Sequence, residues 1–281
     1  MLIRRDIRRQ FDRAAAGFEA ADFVHAVTRD GIVERLEPLR LDARTILDLG
    51  AATGATGRLL RRRFRRARIV SLDLSFAMLM EARSRKSLFS RASFVQADAD
   101  RLPFADGTFD LVVANQLLPW IPEPDTVFRE VARVLQKGGV FAFATLGPDS
   151  LQEIARAWAG LDAAAHVNPF ADMHDLGDGL VRAGLADPVL DVDRLAVSYD
   201  NSDRLFADLT RAGARSTLVA RPRGLLGRTR YEALKNALSA RSATGEIVLD
   251  LELVYGHCWG AGAKNEPGEF RIDANGISMR R

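Results

Sequence analysis

Asp48, Asp73, Asp98 and the pair Asn115-Gln116 are the residues of this chain whose types and positions could do chemistry. Each stands at the end of a short apolar run, at residues 45–49, 68–73, 94–98 and 109–115. Such runs read as buried strands. Acids and amides that follow successive strands line up along one carboxyl edge of a parallel sheet, where open α/β sheets bind ligands. Asp73 lies about 20 residues beyond the first turn, where a ribose-binding carboxylate is expected. Asp98 is placed to accept a hydrogen bond from an adenine amino group. Asp48 precedes the turn Gly50-Ala-Ala-Thr-Gly54, where a carboxylate would repel a phosphate and suit a ligand that carries an ammonium group.

The elements that hold these groups follow from the pattern around them. Gly57 and the helical spacing Leu59-Leu60…Phe64 come directly after the turn, giving strand, tight turn and helix. This arrangement brings backbone N–H groups close to a ligand, and glycines permit the approach because they lack a Cβ. Alone, the turn also reads as a plain connection. The acids after the next strands favour a binding turn.

On these residues the chain resembles the class I S-adenosylmethionine-dependent methyltransferases. The resemblance implies an α/β fold, with a Rossmann-like seven-stranded sheet and helices on both faces. It implies S-adenosylmethionine as methyl donor, with Asp48, Gly50 and Gly54 in the glycine loop, Asp73 at the ribose, Asp98 at the adenine and Asn115 after the fourth strand. Ala52, Leu74 and Ala99 are grouped with them. The family's usual loop is G-x-G-x-G, and Ala52 stands in place of the middle glycine. Its methyl either crowds the cofactor's carboxylate or is absorbed by a small shift.

The 281 residues, 47% of them apolar, allow one large α/β domain or a domain with an insertion. No apolar run is long enough to span a bilayer, and the single Cys258 suits a reducing, cytoplasmic setting. The net charge of +3 permits acidic partners without naming one. Residues 1–10 are arginine-rich without the apolar stretch of a signal peptide, and Asp6 and Asp12 argue against a mitochondrial transit segment. The expected organisation is a helical lid (1–40), a core (41–200), a basic helical insertion between strands six and seven (201–245), the last strand (246–259) and a loosely ordered tail (260–281).

The lid is expected to be helical from residue 10 to about 36, with Phe11, Ala15 and Phe18 on one face. That face packs on the sheet, folds over the site to exclude water, or does both. The opening resembles the F-x-R-A-A-x-x-Y pattern of one methyltransferase group, with Phe18 in the tyrosine's place. Arg61, Arg62, Arg63, Arg65 and Arg66 read as a solvated helix face, since no interleaved aromatics support nucleic-acid binding. Trp120 is expected to pack against the next helix (125–135), with flooring an acceptor pocket as the alternative. Lys137-Gly-Gly139 is expected to end that helix, before a fifth strand at 140–146.

Thr145-Leu-Gly-Pro-Asp-Ser-Leu151, Ala157-Trp158, His166-Val-Asn-Pro-Phe170 and residues 172–178 resemble the malonyl-acyl-carrier-protein O-methyltransferases of biotin synthesis, a likeness that runs from Phe11 to about Tyr255. It implies methylation of the free carboxylate of a malonyl thioester, on acyl-carrier protein or coenzyme A. That carboxylate is already ionised and needs no general base. Phe18, His166 and Asn168 are the candidates for the acceptor pocket, and an arginine of the lid or insertion would hold the carboxylate. Methyltransferase-like assembly factors of mitochondrial complex I share much of the same wording. Modification of a protein side chain therefore stays open, as does a non-catalytic binding protein, motivated by Ala52 and Phe18.

No metal is expected, because His166, His174 and the nearby acids lack ligand spacing. Asp172 to Asp175 read instead as caps of a helix at 176–183, stopped by Gly184. The insertion, between strands at 187–199 and 246–255, carries Arg211, Arg215, Arg221, Arg223, Arg228, Arg230, Lys235 and Arg241. It is a solvated helical pair or a docking face for an acidic carrier. No nucleic acid or membrane partner is expected.

Overall fold

A computed structural model describes residues 2–87, 90–221, 224, 226–239 and 246–261. The strands are β1 Thr45–Leu49, β2 Arg68–Asp73, β3 Ser93–Gln96, β4 Phe109–Asn115, β5 Leu135–Leu146, β6 Leu185–Tyr199 and β7 Ile247–Gly260. The helices are α1 Arg4–Ala14, α2 Phe23–Leu36, α3 Ala55–Arg63, α4 Phe76–Ser84, α5 Pro124–Val134, α6 Gln152–Ala159, α7 Met173–Ala183, α8 Ser202–Arg211 and α9 Arg228–Ser239. The strands form one sheet in the order β3-β2-β1-β4-β5-β7-β6. β1 to β5 pair in parallel, and β7 runs antiparallel between β5 and β6. The chain reverses its direction of winding between β3 and β4, leaving β1 and β4 adjacent. A crevice opens over the carboxyl ends at such a switch point.

The sheet is buried on both faces, so its parallel strands read as unbroken apolar runs. In β4, Leu111 and Val113 join a core with Ile32 and Leu36 of α2 and with Leu60 and Phe64 in and after α3. Val112 and Ala114 join the opposite core, with Phe128 and Val131 of α5 and Leu176 and Leu180 of α7. β6 instead alternates half-buried and exposed residues, as an antiparallel edge with one wet face does. The helices α8 and α9 lie between β6 and β7 in sequence, and their Leu205, Leu234 and Leu238 pack with Ile154, Tyr199 and Leu249. No helix among the described residues is long and apolar enough to cross a membrane.

α2 is held hard against the sheet. A methyl group on Gly31 would come within 2.5 Å of the Tyr255 hydroxyl. The Arg35 guanidinium lies 3.6 Å above the Tyr255 ring and pairs with Asp191 and Asp193. Arg63 donates to the Leu36 carbonyl at 2.6 Å, so one arginine of the basic cluster caps the C-terminal end of α2. Arg62, Arg65 and Arg66 are exposed.

Two expectations are corrected. The single helix over 10–36 is two helices: α1 begins at Arg4, and Ala15–Ala20 tighten into a 3-10 turn before α2. Tertiary contacts account for the break, because the turn buries Phe18 against Met78 and brings Glu19 to Arg58, Arg85 and Thr53. These outweigh local helix propensity. Nor does Gly138-Gly139 end α5, which stops at Val134 and turns at once into β5. Gly138, at φ +74°, serves an irregularity in the β4–β5 pairing between Phe109 and Leu111. Asp172 does cap α7, accepting the His174 N–H at 2.7 Å, and Gly184 ends it at φ +89°. The tail beyond residue 261 lies outside the described residues.

Candidate active site

The carboxyl ends of β1 to β4 open into a cleft of about 290 Å³, roofed by α1, the 3-10 turn and α2. Its floor is the glycine turn, where Gly50, Ala52 and Gly54 have φ of +73°, +45° and +76°. The N–H groups of Gly50 and Ala51 donate to the Leu72 carbonyl at 2.9 and 3.0 Å, and that of Ala52 to the Asp73 carboxylate at 2.8 Å. For Ala52 the left-handed region costs about 1–2 kcal/mol. Its methyl packs with Phe18, Ala14 and Met78 beneath the lid. The two departures from the resembling pattern, Ala52 and Phe18, therefore share one apolar cluster.

Gly50, Ala52, Asp73, Leu74, Asp98, Ala99, Asn115 and Phe18 line the cleft, whereas Asp48, Gly54, His166 and Asn168 do not. Asp48 is 1% exposed behind the turn and accepts the Gly57 N–H at 2.9 Å, which anchors the start of α3. Burial pushes its carboxyl up to about 7. The expected ammonium partner is thus corrected: Asp48 has no face on the cleft. Gly54 shapes the turn from behind, where a Cβ would sit 3.0 Å from that of Ala82.

The two oxygens of Asp73 accept the N–H groups of Ala52 and Ser75, both at 2.8 Å, and burial pushes its carboxyl up to about 6. Asp98 pairs at 3.0 Å with Arg4, which also reaches Asp100. Burial holds the Asp98 carboxyl above its ordinary value. Asn115 accepts the Thr28 hydroxyl at 2.7 Å and donates to the His25 carbonyl at 2.9 Å, tying the end of β4 to α2.

His25 and Arg29, which no sequence motif marks, line the cleft beside Gln116. The His25 ring meets Phe18 edge-on at 5.0 Å, and burial, with Arg29 adding to it, pushes its imidazole down to about 4. Arg29 contacts Asp22 at 3.4 Å. Gln116 is 6% exposed and sits at φ +57°. Trp120 also lines the cleft, meets Phe11 of the lid edge-on at 5.1 Å and packs on the cluster of Leu2, Ile7 and Leu218.

His166 is drawn off elsewhere, stacked at 3.6 Å on Trp158 with its Nε2 2.9 Å from Asp162. Asn168 is buried and accepts the Ser216 hydroxyl at 3.4 Å, a contact that joins its loop to the insertion. Among the insertion's arginines, Arg221 pairs with Asp6 at 2.6 Å and Arg230 with Asp162. Arg211, Arg215 and Arg228 are exposed, while Arg223 and Arg241 lie outside the described residues. Gln10 donates to the Gly213 and Arg215 carbonyls, so α1 and the insertion meet at the rim.

A family described as "Methyltransferase domain" matches residues 47–143. The chain is 40% identical over 266 residues to the malonyl-acyl carrier protein O-methyltransferase of Laribacter hongkongensis, covering 92% of this chain and 90% of that one. The enzyme of the same name from Halorhodospira halophila is 39% identical, covering 99% and 96%. The crystal structure of the YcgJ protein of Bacillus subtilis shares the fold at a TM-score of 0.60 and 17% identity, covering 83% of this chain and 98% of that one. With near-complete coverage at this identity, the chain belongs to the malonyl-acyl carrier protein O-methyltransferases, a family of S-adenosylmethionine-dependent enzymes on the class I methyltransferase fold.

Proposed function

We propose that this chain transfers the methyl group of S-adenosylmethionine to the free carboxylate of a malonyl thioester on acyl-carrier protein. The product is the methyl ester from which pimeloyl synthesis for biotin starts, in the cytoplasm. The observation that carries this reading is the lining of the cleft: strand-end carboxylates suited to a nucleoside, together with a cation, Arg29, on the lid helix α2.

The donor side fits a nucleoside. Asp73 keeps acceptor capacity for ribose hydroxyls, since an ionised carboxylate offers about four lone-pair sites and two are taken. Asp98 accepts from the adenine amino group, sharing its charge with Arg4, and Leu74 and Ala99 flank the ring. Gly50 and Ala52 floor the site, and Asn115 acts by holding α2. When bound, S-adenosylmethionine supplies a methyl on a sulfonium: an O–C bond forms as the C–S bond breaks, the electron pair stays on sulfur and no proton moves. The chain's own work is to orient the acceptor oxygen and exclude water. Phe11, Phe18 and Trp120 supply the apolar cover.

An acidic carrier docks on the exposed Arg211, Arg215 and Arg228, with the exposed Arg5, Arg8 and Arg9 of α1, the helix whose Gln10 bonds to the Arg215 carbonyl. The test incubates the protein with labelled S-adenosylmethionine and malonyl-carrier protein. A base-labile methyl ester is expected there and none with acetyl-carrier protein. Measurable cofactor binding without ester would overturn the malonyl reading and turn the search to protein side chains. Neutralising the three insertion arginines should lower kcat/KM for malonyl-carrier protein while sparing malonyl-coenzyme A.

A further inference from the structure

Two buried polar atoms at the lid end of the cleft, Nδ1 of His25 and Nε2 of Gln116, have no hydrogen-bond partner among the described residues. Both residues line the cleft. Buried groups are rarely left unpaired in a native fold, because they lose water and gain nothing in return. Gln116 also holds a backbone conformation that L-residues seldom adopt, with φ at +57°. Strain of this kind gathers where a side chain must be aimed.

The surroundings bring these residues together at the end of β4. Asn115, next to Gln116, is bonded on both amide atoms to α2, through the Thr28 hydroxyl and the His25 carbonyl. That double tie fixes His25 relative to the end of β4. Arg29 follows His25 by four residues on α2, so the two share a helix face, and Arg29 lines the same cleft. It contacts Asp22 at 3.4 Å.

We propose that Gln116, His25 and Arg29 form the subsite that binds the acceptor's carboxylate, a proposal that rests on the carboxyl-methylation reading above. Gln116 donates a side-chain N–H, and His25 donates a second from Nδ1 in that tautomer. Arg29 supplies the charge. This mixture suits an oxygen that must attack, because several full cations would hold the carboxylate but blunt its nucleophilicity. Two neutral donors fix its direction instead, while one arginine, its charge shared with Asp22, balances it. Burial keeps His25 uncharged at neutral pH.

A carboxylate reaches this cleft from two sources, the acceptor or the amino-acid end of S-adenosylmethionine. The acids suited to the donor's nucleoside follow β2 and β3, on one side of β1, whereas Gln116 follows β4 on the other. The acceptor is taken as the source, and the cofactor arm of the test distinguishes it from the donor's amino-acid end.

The test measures KM for malonyl-carrier protein and, by calorimetry, the Kd of S-adenosylmethionine for Gln116→Glu, His25→Phe and His25→Asn. Gln116→Glu and His25→Phe should each raise the acceptor KM about tenfold or more and leave the cofactor Kd within about twofold, which also verifies folding. His25→Asn keeps an N–H near the Nδ1 position and should recover most of the loss. A weakened cofactor with an unmoved acceptor KM would overturn the proposal and assign the residues to the donor's carboxylate. No change in either constant would reduce them to packing. Malonate binding in the presence of S-adenosylhomocysteine separates this proposal from the function it rests on. Malonate that binds the wild type and not Gln116→Glu supports the subsite even if no ester forms. Ester formation with indifferent variants overturns the subsite alone.

Discussion

The two ends of the cleft are built on different terms. At the donor end the acids already have partners within the chain: Asp73 the N–H groups of Ala52 and Ser75, and Asp98 the guanidinium of Arg4. Asp48, behind the turn, has Gly57. At the proposed acceptor end, His25 and Gln116 hold buried nitrogens without partners among the described residues, and Arg29 has a long contact to Asp22. A satisfied network keeps its shape by itself and admits a ligand through spare lone pairs. An unsatisfied one gains most from a ligand that completes it. The sheet therefore scaffolds the donor end, while the acceptor end depends on where α2 is tied down.

That contrast can be broken most sharply at Asp73. Replacing it with alanine leaves two backbone N–H groups without acceptors and removes the proposed ribose partner. Cofactor affinity should fall about a hundredfold, on the order of 2–3 kcal/mol, and the thermal midpoint should drop with it. Retained affinity in calorimetry would mean that the backbone turn alone holds the donor.

Asp48→Asn tests the same end from behind and should behave differently. The folded-state pKa of Asp48 lies near 7, above its ordinary value of 3.8. The stability it contributes is therefore fully present below pH 3.8 and lost as pH rises through 7. Asparagine cannot titrate and can still accept the Gly57 N–H, so the variant should gain on the wild type over that window, by roughly a few kcal/mol at most. Denaturant midpoints measured in steps from pH 4 to 8 check this. The comparison must be between the two proteins, because His25 acts in the opposite direction. Its folded pKa of about 4 lies below 6.5, so its contribution is present above 6.5 and lost as pH falls through 4. Cofactor Kd should stay within about threefold, and a tenfold loss would return Asp48 to the donor pocket.

Why one end was legible in the sequence and the other was not follows from the same contrast. Strands buried on both faces leave apolar runs, and acids at their ends point to the carboxyl edge, so Asp73 and Asp98 are found by position alone. The side of Asp48 was legible too: Leu47 and Leu49 enter one core and Ile46 the other, so period-two alternation turns Asp48 toward the α3 side. Its place next to the glycine turn was misleading. His25 and Arg29 carry no motif, since a histidine and an arginine four apart on a helix occur everywhere. The role proposed for them rests on the Thr28–Asn115 bond, made across 87 residues of sequence. His166 and Asn168 drew attention through family-like wording, but the Trp158 stack and the Ser216 contact engage them elsewhere.

The smallest expected effect bears on how the lid is seated over the donor end. Ala52→Gly should relieve about 1–2 kcal/mol of left-handed strain. Against this stand about 0.5–1 kcal/mol of added backbone entropy and up to about 0.8 kcal/mol for the lost methyl contact. The terms nearly cancel, so stability should move by less than about 1 kcal/mol, and cofactor Kd by less than about threefold. The methyl contact can be isolated, because its partners are Phe18 and Met78 under the lid. In a Phe18→Ala background that contact is already weakened, and Ala52→Gly should then be clearly stabilising. A double-mutant cycle should read a coupling of about 0.5 kcal/mol. Coupling near zero would mean that the two departures arose independently. Coupling of the expected size would make Ala52 part of the lid's seat, where a glycine would leave the turn relaxed and the lid less firmly held.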